Sequence, residues 1–197
     1  MVAMTTATVL GLPFGRPLTV DDLETLPDDG HRYELLDGTL LVSPGPGFPH
    51  QSVQGQLHIA LHNACPEHLY VMLAPFAVQF SRSTELQPDL LVAELHAFTH
   101  KNLPTAPLLA VEIRSPSTAL IDRTLKRAAY ARHGVPHYWI VDPNPEAPSI
   151  TVLELRGEDY LETQSARGEE DLSVAEPFPV RLRPSDLVVR IPDLNTD

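Results

Sequence analysis

The chain has 197 residues, 43% of them hydrophobic and 20% charged, a size and balance typical of one globular domain with a substantial core. Its net charge of −12 argues against indiscriminate binding to nucleic acid or to anionic membranes, and a single cysteine, Cys65, excludes an internal disulfide framework. No apolar run is long enough to span a membrane, and the N-terminus lacks the positive region of a signal peptide. These features predict a soluble cytoplasmic protein with no membrane partner.

The first half of the chain predicts a leader, two helices and several short strands. Residues 1–18 are expected to form a flexible leader, after which Thr19 caps a short helix. The segment "YELLDGTLLVS" predicts a hairpin that turns at its Asp-Gly pair, and apolar residues at helical spacing predict a helix over 50–63. "YVMLAPFAVQFS" predicts two short strands separated at Pro75, and "QPDLLVAEL" predicts another strand.

The second half predicts a strand, a helix and a second strand in succession. "LLAVEI" is a nearly continuous apolar run, typical of a strand that is buried on both faces. A helix is expected over 118–133, followed by a strand at "HYWIVDP", and together these elements predict a right-handed strand–helix–strand unit. A peripheral hairpin follows at "SITVLEL" and "YLETQS". The pattern therefore predicts a mixed α/β domain over 19–165, with residues 166–197 as an acidic, partly ordered extension.

One acid interrupts the apolar strand "LLAVEI". A buried carboxylate costs several kcal/mol unless it is paired, protonated or bound to a metal, so Glu112 needs a partner. One interpretation is an ion pair with Arg114, which lies on the same face of the strand. The other is that Asp89, at the start of a neighbouring strand, and Glu112 together supply the two carboxylates that Mg²⁺ requires.

The helix after this strand has three polar residues on one face. Asp122, Lys126 and Tyr130 are spaced at i, i+4 and i+8. This spacing fits an exposed ion pair beside a surface tyrosine. It equally fits a helix that packs over the acids, with Lys126 reaching into the site to orient water and to stabilise charge on phosphorus.

Four segments, in this order, carry a family resemblance: "RYELLDGTLLVSPGP", "QPDLLVA", "LAVEIRSPST" and "DRTLKRAAYARHGVPHYWIVDP". They resemble the Uma2 family of the PD-(D/E)XK nuclease superfamily, and the resemblance covers about 19–155. It implies a restriction-endonuclease-like α/β fold, in which a central mixed sheet is flanked by helices and carries a peripheral hairpin. It also implies a site for Mg²⁺, with Mn²⁺ as a substitute.

The resemblance assigns catalytic roles to four residues of this chain. Asp89 resembles the aspartate of the PD motif and Glu112 the acid of the E-x-K element, so both are expected to bind the metal. Lys126 matches the lysine that this family places on the following helix, and Glu34 matches an additional acid. His50 stands at a position where the family often has histidine, with no role assigned.

The position two residues after Glu112 departs from the wider superfamily. It holds Arg114 in place of lysine, and an arginine stays protonated, so it cannot deprotonate water but can hold a phosphate through two hydrogen bonds. Substrate binding is accordingly assigned to Arg114, Arg123, Arg127 and Tyr130. The resulting hypothesis is a Mg²⁺-dependent endonuclease that acts on nucleic acid, with DNA as the expected substrate and a homodimer as the expected assembly. The alternative is a catalytically inactive nucleic-acid-binding or protein-interaction module with the same fold.

Overall fold

A computed structural model describes residues 11–13, 15–115 and 122–189, without the side chains of Asp122 and Arg123. Three parts of the predicted elements lie outside the described residues. They are the first ten residues of the leader predicted over 1–18, the start of the helix predicted over 118–133, and the last eight residues of the predicted extension. In chain order the strands are β1 (Arg32–Leu36), β2 (Thr39–Ser43), β3 (Leu69–Leu73), β4 (Ala77–Ser81), β5 (Thr84–Leu86), β6 (Leu90–Glu94), β7 (Asn102–Leu103), β8 (Leu109–Ile113), β9 (His137–Asp142), β10 (Ser149–Arg156), β11 (Asp159–Arg167), β12 (Leu172–Val174) and β13 (Val180–Leu182).

The helices are short except for one. They are α1 (Val20–Leu23), α2 (Phe48–Ala64), α3 (Arg127–Arg132) and α4 (Pro184–Leu187), with a 3₁₀ turn at Leu95–Ala97 and a π-helical turn at Asp122–Lys126 that leads directly into α3. Pro49 occupies the first turn of α2, where its missing N–H leaves no helical hydrogen bond unmade. No helix in the described part of the chain is long and apolar enough to cross a membrane.

The larger sheet has six strands in the order β11-β10-β9-β8-β6-β3. β8 and β9 run parallel while the other neighbouring strands run antiparallel, so the sheet is mixed. β8 is buried along its whole length, as its apolar run predicts. α3 lies in the connection from β8 to β9, which confirms the predicted succession of strand, helix and strand.

A second sheet of five strands has the order β2-β1-β5-β4-β7. β1 and β2 form the predicted hairpin, whose turn residues Asp37 and Gly38 have φ values of 50° and 79°, the geometry of the Asp-Gly turn that joins two-residue hairpins. The two strands predicted around Pro75 are β3 and β4, but they belong to different sheets. Pro75 therefore lies where the chain passes from one sheet to the other.

Two apolar layers cover the six-stranded sheet. On one face, Val53, Leu57 and Leu61 of α2 pack with residues such as Val111 and Trp139. On the other face, α3 and the five-stranded sheet enclose a second cluster, which includes Leu36, Ala110, Tyr130 and Tyr138. The second layer is the one that also contains buried charged side chains.

Parts of both predicted terminal segments pack onto the domain. Residues 166–197 are predicted to be an acidic, partly ordered extension, and within it Leu172 of β12, Leu182 of β13 and Leu187 of α4 belong to the same apolar core as α2. Residues 1–18 are predicted to be a flexible leader, and within it Leu12 and Leu18 are buried in one cluster with Leu35 of β1. Both segments carry scattered apolar residues between prolines, a pattern too irregular to predict packing from periodicity.

Candidate active site

Four charged side chains lie buried in the layer between the two sheets. Glu34, Asp89, Glu112 and Lys126 are each 1% exposed, and they come from β1, the residue before β6, β8 and the π-helical turn respectively. In the antiparallel register Leu90 pairs with Val111, so one step further along the strands Asp89 lies beside Glu112. Three carboxylates that are distant in sequence therefore converge on one buried position.

Lys126 joins two of these carboxylates. Its Nζ lies 2.9 Å from Oε1 of Glu34 and 3.1 Å from Oε1 of Glu112. The Tyr130 hydroxyl donates a hydrogen bond of 2.7 Å to the same oxygen of Glu112. A buried ammonium group is tolerated when carboxylates pair with it, so this network offsets the burial of both acids. Lys126 and Tyr130, which are four residues apart, therefore both contact Glu112, as their helix spacing allows.

Asp89 is held by three donors. Its Oδ1 accepts a bond of 2.7 Å from Arg32 Nη1, and its Oδ2 accepts bonds from the Ile113 backbone N–H at 2.7 Å and from His50 Nε2 at 3.1 Å. Burial alone would raise the pKa of Asp89, but the bond from His50 and the positive charge of Arg32 outweigh it, so the pKa is lowered. Asp89 consequently stays ionised at neutral pH.

Arg32 is a site residue that sequence reasoning missed. Besides its contact with Asp89, its Nε lies 3.7 Å from Oε2 of Glu34, and its side chain is 18% exposed. Burial would lower the pKa of Arg32, but the charges of Glu34, Asp89 and Glu112 raise it above its usual value. The alternation of β1 puts residues 32 and 34 on one face, and this was the signal that could have identified Arg32.

Amide groups fix the backbone around the acids. Gln54 donates from Nε2 to the Asp89 carbonyl oxygen at 2.8 Å, and the Gln87 backbone N–H donates to Oε1 of Glu34 at 2.7 Å. Gln54 and His50 are four residues apart on α2, so one face of this helix supports Asp89 through both its side chain and its backbone. His50, to which the sequence assigned no role, therefore supports the Asp89 carboxylate.

The donor set is chemically suited to a divalent cation. Glu34, Asp89 and Glu112 offer only oxygen ligands, the type that Mg²⁺ and Mn²⁺ prefer, and the lowered pKa keeps Asp89 in its binding form. Within the described residues, no three acidic, histidine or cysteine side chains already surround a common metal position. Arg32 and Lys126 hold the carboxylates instead, so a bound cation has to share or replace their contacts.

Two of the four predicted substrate-binding residues, Arg114 and Arg127, have their contacts outside this network. Arg114 pairs with Asp142 rather than with Glu112, and Arg127 Nη2 bonds to Asp159 at 3.1 Å and to the Tyr160 carbonyl at 2.6 Å. Both arginines line a polar cleft of about 200 Å³. The prediction for the Arg123 side chain lies outside the described residues.

Tyr130 also differs from its predicted role. The predictions for it are substrate binding or, in the alternative interpretation of the helix spacing, a surface position beside an ion pair, whereas the structure places it in the core with no exposed area. Its hydroxyl reaches Glu112, and burial is the main cause that raises its pKa well above the usual value, followed by the charge of Glu112. Tyr130 is therefore a neutral hydrogen-bond donor that orients Glu112.

Solvent reaches the site from the side of Asp89. A cavity of about 520 Å³ has Asp89 and Arg32 in its lining, whereas Glu34, Glu112 and Lys126 are absent from that lining. Asp89 is itself only 1% exposed, so Arg32, whose side chain is 18% exposed, forms the accessible edge of the charged network.

Comparisons with known proteins agree with this architecture. Residues 20–189 match the family model of Uma2, described as "Putative restriction endonuclease". A crystal structure of "a putative nuclease belonging to DUF820" from Anabaena variabilis superposes with a TM-score of 0.66, at 20% identity, over 87% of this chain and 97% of that chain. This likeness confirms the expected nuclease-type α/β fold. No curated protein matches the chain.

Proposed function

Because this chain belongs to the Uma2 family, we propose that it is a divalent-metal-dependent endonuclease that hydrolyses phosphodiester bonds, with DNA as its substrate. One observation carries the proposal. Lys126 Nζ contacts Glu34 at 2.9 Å and Glu112 at 3.1 Å in a buried site that also contains Asp89. Lysine and carboxylates in such an arrangement match the needs of phosphoryl chemistry, which are charge stabilisation and oxygen ligands for a metal.

Each residue of the network has a distinct role in this proposal. Asp89 and Glu112, with Glu34, would hold Mg²⁺ or Mn²⁺. When bound, the ion supplies a Lewis acid that polarises the scissile phosphate and lowers the pKa of water. Lys126 fixes the orientation of Glu34 and Glu112 and places a positive charge beside the position where negative charge develops on the phosphate.

Further residues position the substrate and the acids. Tyr130 keeps Glu112 in place through its hydroxyl, and His50 does the same for Asp89. Arg114 and Arg127, in their polar cleft, would contact flanking phosphates, with Arg123 beside them in sequence, and this would make substrate binding salt-dependent. Cleavage of both strands of a duplex would then use two copies of the chain, as a homodimer.

A plasmid-nicking assay tests the proposal. Supercoiled plasmid is incubated with the full chain and Mg²⁺ or Mn²⁺, and the Lys126→Met variant is compared with Arg156→Met, which removes an exposed cation of β10 outside the cavity and the polar cleft. We expect nicking by the wild type and by Arg156→Met, none by Lys126→Met, and none in the presence of a chelator. Binding of nucleic acid without nicking under any metal would instead support the alternative of a non-cutting module with this fold.

A further inference from the structure

The cavity beside Asp89 has properties that bear on the substrate. It lies next to α1, the start of β1 and the first turns of α2, and Asp89 and Arg32 belong to its lining. Lys126 and Glu112 are buried behind this lining. The cavity therefore leads to Arg32 at the edge of the charged network, and a nucleotide whose phosphate lies at Arg32 has room for its base and sugar in the cavity.

The walls of the cavity offer apolar and aromatic surface. Val20, Leu23 and Leu26 contribute aliphatic side chains. His31 and Tyr33 also line the cavity, with ring centroids 6.2 Å apart and planes inclined at 47°. Aromatic side chains of this kind stack on nucleobases without regard to sequence. The lining thus suits the uncharged part of a nucleotide.

The charge of the walls opposes a longer stretch of phosphates. Glu24, Asp28 and Glu85 line the cavity, and Lys101, which also lines it, is already paired with Glu24. A run of phosphates along such a wall would be repelled, whereas a base carries no charge and can donate hydrogen bonds to carboxylates. The chain's net charge of −12 acts in the same direction.

The size of the cavity limits what can enter. Its volume of about 520 Å³ falls in the range of sites that enclose one small molecule, which is enough for a single nucleotide. A base pair is held inside its duplex, and enzymes that act on one nucleotide there must first extrude it, at a cost of about a few kcal/mol. A strand that is already single avoids this cost.

From these observations we infer that the cavity receives the base and sugar of one nucleotide of a single strand, whose phosphate lies at Arg32. The substrate class is accordingly single-stranded nucleic acid or an unpaired stretch of a duplex, such as a negatively supercoiled plasmid exposes. This inference rests on the proposed function, because it concerns the same charged site. It assigns Leu23 and Tyr33 to substrate binding.

Two separate measurements test this inference: the binding of nucleic acid, and its cleavage in the plasmid-nicking assay. Fluorescence anisotropy with a chelator present compares a labelled dT10 strand with a blunt 20-base-pair duplex. Leu23→Trp fills the cavity and is matched by Leu161→Trp, at an exposed leucine of β11 outside the cavity. Tyr33→Ala is matched by Tyr70→Ala, at an exposed tyrosine of β3. Far-UV circular dichroism confirms folding, and either pair suffices if one variant does not fold.

We expect the single strand to bind about tenfold tighter than the duplex. Tyr33→Ala should lose about tenfold in affinity, the effect of removing one base stack. Leu23→Trp should lose about as much, because its indole occupies the space of the base. Unchanged single-strand binding in the cavity variants, or tighter binding of the duplex, overturns the inference whether or not plasmid is nicked. Cavity-dependent binding with no cleavage by the wild type supports the inference and overturns the proposed hydrolysis.

Discussion

Arg32 Nη1 lies 2.7 Å from Oδ1 of Asp89, so an arginine of the protein is the direct counter-ion of this carboxylate. The same guanidinium approaches Glu34. Arg32 thus neutralises two of the three carboxylates that would bind a metal in the proposed function, where it would compete with a divalent ion for them. The proposed function therefore predicts that the stability of the protein and its affinity for metal are linked through this one side chain.

Arg32→Gln is expected to destabilise the metal-free protein and to increase its response to metal. Removing one partner of a buried ion pair costs about 3–5 kcal/mol, and the partial exposure of Arg32 places the expected loss near the lower end of that range. Because the freed carboxylates repel one another, Mg²⁺ or Mn²⁺ should restore more stability to the variant than it adds to the wild type. Thermal unfolding with and without the metal measures both effects.

Arg82→Gln is the matched control for this variant. Arg82 pairs with Asp21 at 2.9 Å, but both side chains are exposed, and such pairs contribute about 0–1 kcal/mol. Its unfolding temperature should stay close to that of the wild type at every metal concentration. If Arg32→Gln shows the same small change, Arg32 is not the counter-ion of the acids.

Lys126→Met should destabilise the protein through the acids that it leaves unpaired. Glu34 and Glu112 would remain buried without the ammonium group, at a cost of about 3–5 kcal/mol. Adding Glu112→Gln should recover part of this loss, because the double variant buries one charge fewer. Urea unfolding of the two single variants and the double variant gives the coupling energy, and additive losses would contradict the pairing.

The local elements of this fold were predictable because their signals are local. The apolar run of 108–113 indicates a buried strand, and the Asp-Gly pair indicates the hairpin turn. The pairing of Lys126 with Glu112 was one of two readings of the helix spacing. Only packing separates the two interpretations, because the helix spacing of Lys126 and Tyr130 is the same whether that helix face is exposed or lies over the acids.

The contacts between distant segments were not predictable from spacing. Glu34 and Arg32 reach Asp89 and Lys126 because the five-stranded sheet packs over the six-stranded one, and no periodicity within β1 reports its neighbours in another sheet. The packing of β12, β13 and α4 onto α2 was hidden for a similar reason. Their apolar residues alternate over only three positions each, which is too short a pattern to distinguish a strand from a loop.

The lowered pKa of Asp89 predicts a specific loss of stability in acid. The pKa falls from 3.8 to about 2 in the folded protein, so the carboxylate stabilises the fold fully above pH 4. This contribution is lost as the pH falls from about 4 to about 2, and it amounts to roughly 2 kcal/mol. Asp89→Asn should therefore flatten the dependence of unfolding free energy on pH in that window. Parallel curves for variant and wild type in urea unfolding would contradict the prediction.

Tyr130→Phe isolates the hydroxyl that orients Glu112. The variant removes a buried hydrogen bond of 2.7 Å to a charged acceptor, for which about 1.5–3 kcal/mol is expected. Tyr160→Phe is the matched control, since Tyr160 is also buried and its hydroxyl donates to the Val135 carbonyl at 2.6 Å. That acceptor is neutral, so the loss of this hydrogen bond should cost about 1 kcal/mol of stability. Both losses are measured by urea unfolding.

Cleavage should separate these two variants more sharply than stability does. Tyr130→Phe leaves Glu112 with fewer restraints, so we expect a slower nicking rate and a need for more Mg²⁺ to reach half of the maximal rate. Tyr160→Phe touches no acid of the network, so its metal dependence should match that of the wild type. An equal reduction in both variants would mean that the tyrosine hydroxyls act only through overall stability, and the role assigned to Tyr130 would then be wrong.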